Sequence, residues 1–237
     1  MNLEKFSVPF AIIIAAGLIA VSLYYSNVKS SEQIAKAKVA QLTQPVVSDT
    51  TSTMRPISAS DHILGNPNAD VIIVEYSDLE CPFCKAFHQT LQRVMSEYGK
   101  DGKVAWVYRH FPIDQLHSKA RKEAEATECA NELGGPAKFW EYTNMVYNTT
   151  TSNNTLDPAE LPKIAKSVGL DVKAFNTCLS SGKYEAKVEA DYQDAIKVGG
   201  RGTPNSILVS KDGTRIVVQG AQPYDSLKLT LDALLQK

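Results

Sequence analysis

Residues 71 to 88 read VIIVEYSDLECPFCKAFH. Val71 to Tyr76 is a β-branched run of strand length with apolar residues on both faces, as a central strand of a covered sheet requires. Cys81-Pro82-Phe83-Cys84 follows, and apolar residues at Phe83, Phe87, Leu91, Val94, Met95 and Tyr98 then trace one face of a helix. Pro82 suits the first helical position, where its missing N–H leaves nothing unsatisfied. Cys81 therefore falls at the N-cap, its sulfur beside the unpaired amides of the first turn. The helix dipole and those amides lower a cysteine pKa, and the thiolate is the species that reacts. Cys84, one turn on, is expected to be the more buried partner that closes a disulfide with an exposed Cys81.

Two other chemistries use a C-x-x-C spacing. A c-type haem site needs His after the second cysteine, and Lys85 stands there. Zinc could take Cys81, Cys84 and His88, but no second close Cys or His pair follows to close a four-ligand site, so no metal is expected. His88 is then expected at the helix surface or boundary. Glu75, a charged residue in an apolar strand, needs a functional reason unless it points to the sheet edge and water.

Outward from this stretch, composition narrows the function classes. The chain has 237 residues, 43% hydrophobic and 22% charged, which fits a globular domain and excludes wholesale disorder. Lys plus Arg number 25 against 26 Asp plus Glu, with no basic block, so nucleic acid is not an expected partner. Residues 6 to 25, FSVPFAIIIAAGLIAVSLYY, carry no charge and are long enough to span a bilayer. We read residues 1–25 as an uncleaved membrane anchor and 26–60, rich in Ser, Thr, Gln and Ala, as a flexible tether with a short helix near Glu32 to Leu42. Lys5 and the amino terminus precede the span while Lys29, Lys36 and Lys38 follow it, so charge alone leans toward a cytoplasmic carboxyl side.

A second motif lies far downstream: Gly202-Thr203-Pro204-Asn205, followed by the strand-like Ser206 to Ser210. Together with DHILGNPNADVIIVEYSDLECPFCKAFH, residues 61 to 88, it resembles the DsbA-like thiol:disulfide oxidoreductases of the thioredoxin superfamily. The resemblance covers about 61–237. It implies an α/β thioredoxin-like fold with an inserted helical subdomain at about 115–198; the single N-terminal transmembrane helix expected before it rests on the apolar run alone. It also implies a cis Thr203-Pro204 bond packed beside the reactive cysteines, with Thr203, Pro204, Pro82 and Phe83 contacting substrate, and makes Glu75 the buried acid that shuttles a proton for Cys84. No cofactor is implied.

Val104 to Tyr108 reads as a second strand. Helical patterns follow over Ser118 to Leu133, Pro136 to Tyr147, Pro158 to Val168, Val172 to Leu179 and Tyr184 to Val198. Strands resume at Ile207 to Val209 and Ile216 to Val218 around a Lys211-Asp212-Gly213 turn, before a closing amphipathic helix. Cys129 and Cys178 fall on separate helices of the insertion. A structural disulfide is the preferred reading, two buried free thiols the alternative.

The function implied is oxidation of reduced exported proteins by the Cys81-Cys84 disulfide, restored by a membrane quinone-linked partner. The catalytic domain, a monomer, is expected outside the cytoplasm. Isomerase or reductase activity is the alternative within the fold, and a metal-binding or docking module the alternative outside it. Strongly oxidising relatives place His where Phe83 stands, and Asp78 and Glu80 disfavour added negative charge, so a milder oxidant is expected.

Overall fold

The computed structural model describes residues 53–236. Five strands form one sheet: β1 (His62–Leu64), β2 (Val71–Ser77), β3 (Val104–His110), β4 (Asn205–Ser210) and β5 (Arg215–Gln219), in the order β1-β3-β2-β4-β5. β2 is the central strand, parallel to β3 and antiparallel to β4. Helix α1 (Pro82–Val94) follows β2 directly and runs into a π-helical turn, Met95–Gly99. Between β3 and β4 lie α2 (Ala120–Thr149), α3 (Glu160–Ser167), α4 (Val172–Ser180) and α5 (Glu185–Lys197), and α6 (Tyr224–Leu235) closes the fold.

The mixed sheet explains the unbroken apolar run of β2. Alternate residues of each strand enter opposite cores, because successive side chains point to opposite faces. Ile73, Trp106 and Leu208 pack with Phe87 and Leu91 of α1, Phe139 of α2 and Leu231 of α6. Val74, Val107 and Ile207 pack on the other face with Phe111 and Ala195.

The inserted helices occupy the expected stretch. α2 is interrupted at Gly135, whose φ of 76° and ψ of −173° break the helix just before Pro136. A glycine tolerates that positive φ and proline suits a helix start, so the break falls between the two helical patterns read over Ser118 to Leu133 and Pro136 to Tyr147. Cys129 on α2 and Cys178 on α4 are joined in a disulfide, with their Cα atoms 5.9 Å apart.

The boundary of the folded body corrects the tether. Residues 53–60 pack against the domain: Met54 is buried, the Arg55 amide donates to Asp194 at 2.8 Å, and its guanidinium bridges Asp61 and Asp191, each at 2.8 Å. Fully buried Arg109 pairs with Asp61 and Asp194 at 2.8 and 2.7 Å. Buried aspartates need such partners, since an uncompensated buried charge is strongly destabilising. These partners lie far apart in sequence, which hid the arrangement behind a polar composition. The anchor at 1–25, the helix near Glu32 to Leu42 and the tether up to residue 52 lie outside the described residues. Among the described residues no helix is long and apolar enough to cross a membrane.

Candidate active site

Cys81 stands at the N-cap of α1, in extended backbone (φ −78°, ψ 123°), and Pro82 opens the helix. Asp78 holds the turn that delivers it. The Asp78 carbonyl accepts from the Cys81 amide at 3.2 Å, and its carboxylate accepts from the amides of Glu80 (2.8 Å) and Ile113 (2.7 Å) and from His117 Nδ1 (2.9 Å). Glu80 is also fully buried. Its carboxylate accepts from Asn154 N at 2.7 Å, Leu156 N at 3.3 Å and Thr150 Oγ1 at 3.3 Å, while its carbonyl accepts from Asn153 N at 2.7 Å. Ser152, Asn153 and Asn154 adopt positive φ (71°, 56° and 65°), which turns the Asn153 amide onto the Glu80 carbonyl and the Asn154 amide onto its carboxylate. Both acids beside the cysteines thus face inward on fixed donors.

Two expectations about the helix need correcting. Cys81 is only 4% exposed, and Phe83, placed on the apolar face by its spacing, is 65% exposed. The buried face runs through Cys84, Phe87, His88, Leu91 and Val94 instead. Cys84 at the inner position frees Phe83 to project from the helix tip beside the partly covered sulfur. That arrangement suits contact with a substrate.

The two cysteines are free thiols in different environments. The Cys84 thiol, as hydrogen-bond donor, is the largest influence lowering the Cys81 pKa, to about 6. Burial opposes it, and the Thr203 hydroxyl and the amides of Cys84 and Phe83 add to the lowering. Those amides stabilise the sulfur by proximity rather than by a full capping hydrogen bond, which Cys81 does not make. The Cys84 pKa is raised well above the ordinary value by burial, then by its bond to Cys81 and by the charges of Cys81 and Glu75. Asp78 N donates to Cys84 Sγ at 3.4 Å.

Thr203-Pro204 is cis, and the Thr203 carbonyl accepts from Cys81 Sγ at 3.5 Å. The fold therefore brings together the two motifs that carry the resemblance. Glu75 sits on β2, fully buried, with Oε1 accepting from Ser77 Oγ at 2.8 Å and Oε2 from Trp106 Nε1 at 3.0 Å. Burial, with a smaller contribution from the Cys81 charge, raises its pKa to about 8 despite those two donors. The edge-and-water alternative for Glu75 is thus excluded. Tyr147 joins the cluster through Ser77 Oγ at 3.0 Å and Tyr108 at 3.3 Å. The sequence pointed to none of Ser77, Trp106, Tyr108 or Tyr147 as part of the site. The signal for the three strand residues was alternation, since Trp106 pairs in register with Ile73 and Tyr108 with Glu75, but that register exists only in the sheet; Tyr147 comes from helix α2.

His88 is a further correction. It is buried, its Nε2 donates to Asn144 Oδ1 over 2.6 Å, and it packs edge-on to Trp106. It completes no metal site with the cysteines. Burial drops its pKa to about 4, the Asn144 bond opposing. Between about pH 6.5 and 4 the unfolded chain then binds a proton that the folded chain refuses, so stability falls as pH drops through that window, by about 3 kcal/mol. Denaturant titrations at several pH values are expected to show a flatter fall for His88→Gln than for the parent. Equal slopes would remove His88 as the cause.

Among the described residues one group could hold a metal: buried His62, His110 and Glu128. Glu128 Oε1 lies 2.8 Å from His62 Nε2, 3.0 Å from His110 Nε2 and 3.5 Å from Lys187 Nζ. The carboxylate thus has two imidazole hydrogen-bond partners and the Lys187 ammonium as its counter-charge, while burial lowers the His62 pKa and favours its neutral form. The group lies on β1, β3 and α2, away from the cysteine turn.

The family model described as thioredoxin matches residues 58–233. The chain belongs to the thioredoxin family. Within that family its fold is DsbA-like. It is 26% identical to Pseudomonas aeruginosa DsbA2, covering 76% of this chain and 97% of that one with a TM-score of 0.62. The structure of oxidised BdbD from Bacillus subtilis shares the fold at 23% identity, covering 78% of this chain and 97% of that one with a TM-score of 0.67. The Na(+)/H(+) antiporter NhaA 1 of Mycolicibacterium gilvum is 32% identical over 161 residues, 67% of this chain but 25% of the antiporter. The chain spans about a quarter of the length of the curated relatives it matches.

Proposed function

We propose that this protein is a thiol:disulfide oxidoreductase acting as an oxidase, giving the Cys81-Cys84 disulfide to reduced exported proteins. One observation carries the reading: a stabilised thiolate at the N-cap beside a buried thiol held un-ionised. Stabilising the Cys81 thiolate favours the reduced pair and so makes the disulfide form a better oxidant. That asymmetry favours oxidation over isomerisation or reduction.

A substrate thiolate attacks Cys81 Sγ, breaking the Cys81–Cys84 bond and leaving Cys84 as the departing sulfur. Glu75, holding its proton near neutral pH, supplies it to Cys84 through the adjoining hydroxyl cluster. A second substrate thiol then attacks the substrate sulfur of the mixed disulfide, and Cys81 leaves as its stabilised thiolate. Two electrons pass from substrate to enzyme, and one disulfide forms in the substrate. Ionised or bonded, Cys81 no longer donates to the Thr203 carbonyl, which is then open to an amide of an extended substrate chain, as in strand addition. Exposed Phe83 supplies apolar contact beside it.

The electron pair leaves by exchange with a membrane quinone-linked oxidant, as the family resemblance implies. Residues 1–25 are the single-pass anchor that keeps enzyme and oxidant in one membrane, with the catalytic domain on the extracytoplasmic side and the protein a monomer. A reporter active only outside the cytoplasm, fused after Lys237, tests that address.

The ultraviolet absorbance of the reduced protein is expected to titrate as a thiolate near pH 6 and to vanish in Cys81→Ser. Equilibration with glutathione is expected to give a potential below about −120 mV, the value of the strongest oxidant of this type. A midpoint near that of a free thiol, about 8.5, would remove the basis of the reading.

A further inference from the structure

A cavity of about 270 Å³ opens beside the cis-proline loop, lined by Arg201, Thr203, Pro204, Asn205, Gln219 and Gly220. Asn205 opens β4 and is 4% exposed, and its Nδ2 donor has no hydrogen-bond partner. It pairs in register with Gln219 of β5, so the two side chains share one face of the ladder. The Gly220 amide donates to the Pro204 carbonyl at 2.9 Å, tying the end of β5 to the loop. Arg201 is exposed at the rim and, among the described residues, makes no ion pair.

A donor amide held out of water without an acceptor is unfavourable, and most buried polar groups are satisfied. Asn205 lines a cavity whose one charged lining group is the Arg201 guanidinium, and no carboxylate among the described residues lines it. An apolar occupant would leave both groups unmet, and a cation would be repelled. An acceptor with negative charge meets both, and guanidinium is well shaped to hold a carboxylate.

We propose that this cavity is a specificity pocket for an acidic side chain of the substrate polypeptide, held by Asn205 Nδ2 and Arg201. The inference rests on the oxidase reading and deepens it. Thr203 lines the cavity and also meets Cys81 Sγ through its carbonyl at 3.5 Å. An extended chain advances about 3.3 Å per residue, so an Asp or Glu within two residues of the reacting cysteine reaches the pocket. Reduced proteins with acidic residues beside their cysteines are then the favoured substrates.

The test uses reduced dithiol peptides identical except for Glu, Gln or Lys two residues from the attacking cysteine, on either side, oxidised by the full-length disulfide enzyme. The Glu peptide is expected to exceed the Gln peptide about tenfold in kcat/KM, with Lys slowest and the spread narrowing as salt rises. Arg201→Glu, at an exposed position that the fold tolerates, is expected to reverse the order of Glu and Lys. Equal rates for Glu and Gln on both sides, or an unchanged order in Arg201→Glu, would overturn the pocket while leaving the oxidase reading intact. Failure of every peptide to react would remove that reading, and the pocket with it.

Discussion

Cys81→Ser is expected to reduce oxidation of a reduced protein substrate to the uncatalysed rate, a loss on the order of a thousandfold or more. A hydroxyl cannot form the disulfide that carries the electrons, and no other free cysteine stands at a helix N-cap among the described residues. Cys84→Ser is expected to behave differently. It retains the Cys81 sulfur at the helix tip and, given a substrate disulfide, forms a mixed disulfide that Cys84 can no longer resolve. Trapped species on a non-reducing gel with Cys84→Ser, and none with Cys81→Ser, would establish which sulfur meets substrate. The same variants separate enzyme from docking module, because a module keeps binding its partner without Cys81. Turnover surviving in Cys81→Ser would end the proposed mechanism.

Replacing Cys129 and Cys178 together by Ala is expected to destabilise the domain by about 4 kcal/mol. The bridge closes a loop of sequence separation 49, and the chain entropy that such a loop removes from the unfolded state sets that size. Since about 1.4 kcal/mol is tenfold in an equilibrium constant, the unfolded fraction should rise by nearly three decades. The denaturant midpoint should fall, and the parent protein in strong reductant should approach the variant. A midpoint shift worth less than about 1 kcal/mol would mean that packing of α2 on α4 holds the subdomain without the bridge. Peptide exchange at Cys81 should survive in the variant, because Cys129 and Cys178 take no part in the proposed electron transfer.

The chemistry was more legible than its surroundings. A β-branched run, a turn and C-P-x-C at a helix start are local signals, written within residues 71–88, and they placed the strand, the helix and both sulfurs. The break at Gly135-Pro136 was legible for the same reason, as was the order of helices before β4. Phe83 and His88 were misjudged because helical spacing identifies a face without saying what covers it. The packing of α1 put Cys84 rather than Phe83 inside, and aromatic neighbours from β3 and α2 buried His88. Residues 53–60 looked like linker because their partners, Asp191 and Asp194, lie on α5.

The amino-acid sequence by itself determined the reactive pair, its position at a helix terminus, the succession of elements and the two motifs that mark the family. These are properties of neighbours along the chain, decided by residue volume, backbone preference and period. Only the tertiary structure decided that Thr203 meets Cys81, that Trp106 and Ser77 hydrogen-bond the Glu75 carboxyl group, and that Asn205, in the lining of a cavity beside the cis-proline loop, keeps a buried donor without a partner. Those contacts join strands and loops through the register of the sheet and the removal of water from the core. Hydrogen bonds and pKa shifts follow from that burial, which no single segment carries in its own composition.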